Sequence, residues 1–311
     1  MTTRQIAVSG PAVAIIDDAL SAFPEYRAFR RAETSRSAYC AWVGSGAVDP
    51  GRIGLTEDQL NLSTRLPVNG RAHVDRILGE LHAAGLIDAT DYPAEEFDAL
   101  FTQVSAGFRH HPFTTYIFPE EARLLYALAH LAAPRRTVFP GSYYGYWAVW
   151  AMPGIIAAGG TAELIDINPE TMDLARRNLE ALGLSKGVEY VTGDAIAYGR
   201  TLRDVDLCVL DAEGPKDAAD PELRDKAIYH PIMRATTPAL RPGGLLVAHN
   251  MLLENLTDNP YFARRISANE AQYTAFHEHL AEHYDRRAVL PTTEGTGVYR
   301  KARRRGGVAG D

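Results

Sequence analysis

Thr137–Trp147, TVFPGSYYGYW, followed by Ala162–Leu184, AELIDINPETMDLARRNLEALGL, is the stretch that decides the fold. Each segment opens with an apolar run of strand length, turns through Gly, Pro or Asn, and enters an apolar pattern of helical spacing. A strand feeding a helix twice in succession is the unit of a parallel sheet, because parallel neighbours need a long crossover, usually helical. The alternation continues downstream. Val188–Val191 and Val205–Asp211 read as strands, Pro231–Leu240 as a helix opened by its proline, and Leu245–Ala248 as a buried strand after the turn Pro242-Gly243-Gly244. Asn269–Tyr284 reads as helical, and Ala288–Leu290 with Gly297–Arg300 flank a glycine-containing loop, which predicts an antiparallel hairpin. Upstream, Glu120–Leu131 is an amphipathic helix stopped by Pro134. The expected class is α/β, a doubly wound sheet closed by a hairpin.

Residues 1–112 carry helical patterns and few strand-like runs. They are expected to form a mostly helical extension that dimerises the protein or covers its pocket, ahead of the main domain at 113–301 and a disordered basic tail at 302–311. In Leu55–Asp88, Val74, Ile77, Leu78 and Leu81 recur at helical spacing, and Gly85 stands where a helix would end. A helix pair packed on the main domain or on a second subunit is one reading. A winged-helix DNA binder is the other, but Arg65, Arg71 and Arg76 face the competition of Glu57, Asp58, Asp75 and Glu80.

The 311 residues are 46% hydrophobic and 23% charged, enough apolar chain for a substantial core. A net charge of −7 gives no basic field for nucleic acid or an anionic membrane, so a small molecule is the expected partner. Cys40 and Cys208 make neither a disulfide framework nor a zinc spacing. No apolar run approaches the roughly 20 residues that span a bilayer, and the first residues lack a signal-peptide pattern, so the cytoplasm is the expected compartment.

In an open α/β sheet, ligands bind beyond the carboxyl ends of the strands. There the first strand gives Gly141-Ser142-Tyr143-Tyr144-Gly145, whose glycines allow a tight turn and close approach to a ligand. The second ends at Asp166, beside Ile167, where a carboxylate is placed to accept from a ribose diol; Asn168 is better positioned than Asp166 to cap the next helix. The third ends at Gly193-Asp194-Ala195, in which Asp194 either meets the ligand or orders a turn.

Taken together, TVFPGSYYGYW, AELIDINPETMDLARRNLEALGL, YVTGDA, VDLCVLDAEGPKD, LRPGGLLVAHN and VLPTTEGTGVYRK resemble, in order, the class I S-adenosylmethionine-dependent methyltransferases, nearest to the catechol and caffeoyl-coenzyme A type O-methyltransferases. The resemblance covers Pro119–Lys301 and implies a Rossmann-like methyltransferase sheet with S-adenosylmethionine as cofactor. It places Gly141 and Gly145 at the methionine end, Asp166 at the ribose and Asp194 with Ala195 at the adenine, and it counts Ser142, Tyr143, Ile167 and Asp211 among the cofactor-binding residues. It also implies homodimerisation through the N-terminal extension.

Metal-dependent members hold a divalent ion with an aspartate ending the fourth strand and an Asp-Asn pair ending the fifth. Here those positions are Asp211, His249 and Asn250. Two readings are open: the three ligate a divalent metal, better a transition ion than magnesium, or His249 is a metal-free general base with Asp211 as its acidic partner. Lys216 lies near the family's assisting lysine, at a longer spacing; a solvated surface lysine is the alternative. Phe139 replaces an acidic residue of the first strand, and Trp147 a small polar one. Trp150 is expected in the core, whereas Tyr143 and Tyr144 are the aromatic candidates for a sulfonium. Phe108–Phe113, with His110 and His111, reads as a loop able to fold over the pocket. The activity implied is methyl transfer to a small-molecule acceptor, at a hydroxyl oxygen before nitrogen or carbon. The rivals are a methyltransferase-like enzyme turned to non-methylating metal- or histidine-assisted chemistry, and a ligand-sensing DNA-binding regulator.

Overall fold

The computed structural model describes residues 11–112, 117–251, 267 and 270–302. The expectations placed on residues 1–10, Phe113, Asn269 and the tail from residue 303 lie outside these. Seven strands form one sheet: β1 (Arg136–Pro140), β2 (Thr161–Asp166), β3 (Val188–Thr192), β4 (Val205–Leu210), β5 (Leu240–Ala248), β6 (Tyr284–Leu290) and β7 (Thr296–Lys301). Their order is β3-β2-β1-β4-β5-β7-β6. The first five are parallel, and β7 pairs antiparallel with both β5 and β6. This is the Rossmann-like methyltransferase sheet with its terminal hairpin, preceded by helices.

The central strands β1 and β4 and the second half of β5 are largely apolar because both faces are covered, whereas β6 at the edge carries exposed Asp285, Arg286 and Arg287. On one face Phe139, Leu207, Val209, Leu245 and Val247 meet the helices Gly70–Ala83, Ala94–Gly107, Pro119–Ala132 and Tyr146–Ala157. Their alternate neighbours Val138, Cys208, Leu210, Leu246 and Ala248 meet Tyr229, Ile232, Met233, Phe276 and Leu280 on the other. Trp150 is fully buried in the first layer, as expected. A third cluster, including Ile16, Leu20, Phe29, Tyr39 and Leu66, holds the N-terminal helices together.

Local chemistry sets the helix ends. Thr56 and Gln59 form a reciprocal capping box before the helix Glu57–Ser63. Gly85, at φ +69°, lies just past the end of the helix Gly70–Ala83. Asn168 caps the helix Pro169–Ala181 through its side chain, leaving Asp166 to other work.

Two sequence boundaries are corrected. The helix expected over Pro231–Leu240 runs Tyr229–Thr236. Pro231 sits third in it, where the N–H it lacks would have no intrahelical partner, and from Thr237 the chain tightens into a 3-10 turn, Thr237–Ala239, that leads into β5. Strand β5 begins at Leu240 rather than Leu245, with Pro242-Gly243-Gly244 inside it and a register irregularity opposite, between Val205 and Leu207.

Candidate functional site

The site gathers at the carboxyl ends of β2, β1, β4 and β5. After β1 the chain folds sharply back: Gly141 and Gly145 have φ +75° and +79°, Tyr143 +47°. The amides of Gly141 and Ser142 donate to Ile165 O at 2.9 and 3.1 Å, which ties the loop to β2. The two glycines have packing reasons beyond their turn. A Cβ on Gly141 would lie 2.4 Å from Ala212 Cα, and one on Gly145 2.8 Å from Leu179 Cδ1. Ser142 is buried with its hydroxyl 3.6 Å from Met172 Sδ.

Asp166 ends β2. Its Oδ2 accepts from Tyr143 N at 3.1 Å and its Oδ1 from Asn168 N at 3.0 Å, so the carboxylate is held rigidly while each oxygen keeps acceptor capacity. Burial raises its pKa against those backbone donors. Beside it Ile167 is 75% exposed, a large apolar side chain left bare at a strand end. Asp194 is exposed and caps the short helix Ala195–Gly199, its Oδ1 accepting from Ile196 N at 2.7 Å and Ala197 N at 3.3 Å. Tyr143 and Tyr144 pack against each other with rings tilted by 31°, centroids 3.7 Å apart and hydroxyls in contact at 2.6 Å; Tyr144 is buried.

The second half of the site centres on Asp211, one residue past β4. His249 and Asn250 follow β5, and His249 N continues the ladder by donating to Leu210 O at 3.0 Å. Asn250 Nδ2 donates to Asp211 Oδ1 at 3.0 Å, and His249 Nδ1 lies 3.3 Å from Asp211 Oδ2. The three residues that the sequence grouped are therefore in mutual contact. Two others complete the cluster and have no motif to announce them. Lys226 Nζ lies 3.0 Å from Asp211 Oδ1, and Glu121 Oε2 lies 3.1 Å from His249 Nε2. Lys216, by contrast, is exposed, and Asp211 takes its ion pair from Lys226 instead.

His249 thus has carboxylates at both ring nitrogens. Asn250 Nδ2, 2.8 Å from Nδ1, suits a bare nitrogen there, but two full charges outweigh one amide dipole. Burial works against the imidazolium, and Asp211 and Glu121 more than offset it, raising the pKa to about 9. Burial likewise opposes ionisation of Asp211, yet Lys226 and His249 hold its carboxyl well below the usual range. Trp147 packs on the imidazole, centroids 4.9 Å apart, and its buried indole N–H has no hydrogen-bond partner among the described residues.

A buried polar network continues behind His249. Glu121 Oε1 accepts from Glu294 N at 2.6 Å, Glu294 pairs with Arg65, and Glu120 pairs with Arg36 at 3.2 Å and accepts from the Thr293 hydroxyl. Arg36 and Arg65 belong to the N-terminal helical region, so that region is wired to the surroundings of His249 by one fully buried ion pair, Arg36–Glu120, and one largely buried, Arg65–Glu294.

The donor set does not suit a divalent cation. Asp211 Oδ1 already takes an ammonium and an amide N–H, and both nitrogens of His249 face carboxylates inside the protein. Among the described residues no group of three or more His, Cys, Asp or Glu side chains is placed to hold a metal ion. The residues at β1 and β2 do fit a nucleoside cofactor: a fixed carboxylate, a bare apolar side chain and a backbone turn lie side by side.

Comparison with known proteins agrees with this architecture. No family model matches the chain. A catechol O-methyltransferase of Niastella koreensis is 26% identical over 136 residues, which span 44% of this chain and 58% of that relative. The S-adenosylhomocysteine-bound methyltransferase of Podospora anserina is 18% identical, with a TM-score of 0.50 over 76% of this chain and 97% of that one. An O-methyltransferase of Streptomyces achromogenes involved in tomaymycin synthesis, solved with S-adenosylmethionine, is 20% identical, with a TM-score of 0.46 over 76% and 99% of the two chains. The fold is that of the class I S-adenosylmethionine-dependent methyltransferases. Among the described residues no helix is long and apolar enough to cross a membrane.

Proposed function

We propose that the chain binds S-adenosylmethionine and transfers its methyl group to a hydroxyl oxygen of a small-molecule acceptor. The observation that carries this reading is the pairing at the end of β2 of Asp166, with acceptor capacity on both oxygens, and Ile167, 75% exposed. A carboxylate beside an uncovered apolar side chain matches the ribose diol and the flat base of a nucleoside. S-adenosylmethionine would supply an activated methyl on a sulfonium, displaced in line as the acceptor oxygen forms its bond to carbon and sulfur keeps the released electron pair. The protein then has to orient the acceptor and favour its ionised oxygen. Asp211, Lys226, His249 and Asn250 form the polar wall for that task on the far side of β1. With both ring nitrogens engaged inside the protein, His249 acts as a fixed positive group rather than as the base that takes the acceptor proton.

The test is calorimetric titration with S-adenosylmethionine and S-adenosylhomocysteine, then incubation with a panel of phenols and enols. Micromolar cofactor binding and a product heavier by one methylene are expected. A folded chain that binds neither nucleoside overturns the reading. We also propose that residues 1–112 form a homodimer contact or roof the acceptor pocket, as the link from Arg36 and Arg65 to the His249 environment supports. Sedimentation of the full chain and of a truncation lacking residues 1–112, with acceptor kinetics of both, tests this; unchanged mass state and kinetics refute it.

A further inference from the structure

Lys226 stands fifteen residues beyond the carboxylate it pairs with. The intervening chain is folded back on itself: Gly214 N donates to Asp225 O at 2.9 Å, and the two residues form an antiparallel bridge. Only glycine fits at that crossing, since a Cβ on Gly214 would lie 1.7 Å from Leu223 O. Asp225 then takes φ +47° and ψ −133°, outside the left-handed helical region and at a cost of about 1–3 kcal/mol for a non-glycine residue, and the next residue is Lys226 at the start of a 3-10 turn. The loop is thus built to return one ammonium to the end of β4. There Lys226 Nζ donates to Asp211 Oδ1 at 3.0 Å and to Ala212 O at 3.1 Å. An ammonium has three donors, so one is left for a ligand. The side chain is 12% exposed, so it is not sealed off from solvent.

We propose that Lys226 is the resident cation of this site, excluding a divalent metal from Asp211 and Asn250 and binding the ionised oxygen of an acidic hydroxyl, a phenol or enol. This rests on the methyl-transfer reading for the identity of the reaction, but not for the binding it describes. A divalent ion chelates two neighbouring oxygens, whereas one ammonium offers a single contact. The acceptor therefore needs one acidic hydroxyl and no adjacent diol.

The experiment uses the full chain. Manganese(II) binding is followed by electron paramagnetic resonance and binding of 4-nitrophenolate by its absorbance, both first without nucleoside and then repeated with S-adenosylhomocysteine. The wild-type protein is expected to take up no more Mn²⁺ than Asp211→Asn, while Lys226→Met gains one ion per chain. Phenolate affinity is expected to fall about tenfold or more in Lys226→Met and to recover in part in Lys226→Arg. One Mn²⁺ per wild-type chain, lost in Asp211→Asn, overturns the proposal without recourse to any Lys226 variant. So does an unchanged phenolate affinity in folded Lys226→Met, or its failure to gain metal. Should S-adenosylhomocysteine itself not bind the wild type, methyl transfer falls, and the Mn²⁺ and phenolate measurements, made without nucleoside, still decide the role of Lys226.

Discussion

Glu121 and His249, 128 residues apart in sequence, meet at 3.1 Å with both side chains almost wholly buried. The contact joins the first turn of the helix Pro119–Ala132 to the end of β5, and it makes the imidazole the middle of an Asp211–His249–Glu121 row. Replacing Glu121 by Gln keeps the volume and removes one of the two charges. The His249 pKa, about 9 in the intact protein, should drop by at least about one unit, since a nearby opposite charge shifts a group by about 1–3 units. Titration of the imidazole by NMR reads this directly. An unmoved value would mean that Asp211 alone sets the charge.

Asp166→Ala should weaken S-adenosylhomocysteine binding about 10- to 100-fold, the equivalent of a hydrogen bond to a charged group at roughly 1.5–3 kcal/mol. Calorimetry measures it, with circular dichroism confirming that the loop anchored by Tyr143 N has not taken the fold with it. Full affinity in a folded variant would remove Asp166 from the cofactor site.

Ile167→Ser separates binding from stability. With the side chain 75% exposed, its loss should alter unfolding free energy by no more than about 0.5 kcal/mol. Nucleoside affinity should nevertheless fall about tenfold, as expected when a fully covered aliphatic contact worth roughly 1.5 kcal/mol is lost. Denaturant melts and calorimetry on the same sample decide; equal affinities would leave the bare isoleucine without a ligand.

Acid should loosen the N-terminal region through His73. Its Nδ1 lies 3.0 Å from Arg76 Nη2, and burial, then Arg36 and Arg76, lower its pKa from 6.5 to about 3. Between pH 6.5 and 3 the unfolded chain binds a proton there that the folded one refuses, so stability falls as pH drops through that window. From pH 7.5 to 5 the loss from this group is on the order of 2 kcal/mol. Denaturant melts at the two pH values should differ by that much less in His73→Gln, and an identical pH dependence in the two proteins would exonerate the histidine.

Much of the fold was legible in the sequence because its signals are local. TVFPGSYYGYW and AELIDINPETMDLARRNLEALGL each carry a strand, a turn residue with its own backbone demand and a helix start, and the residues that end the strands follow from where the apolar runs stop. Asp166 and Asp211 could therefore be placed at strand ends from where the apolar runs stop, while the grouping of Asp211 with His249 and Asn250 came from the family resemblance. What lies across from them could not. Lys226 reaches Asp211 only because Gly214 lets the chain cross Leu223 at backbone contact, and Lys216, closer in sequence, points to solvent. Glu121 reads in sequence as an ordinary acidic residue in the first turn of a helix, yet it is fully buried against His249 and Glu294. Composition and periodicity determine which face of each element is covered, because burial of apolar surface has no memory of partners far along the chain. Which charge meets which carboxylate is decided only when the tertiary structure excludes water, for only there does a 3 Å contact outweigh the solvent that would otherwise hold both groups apart.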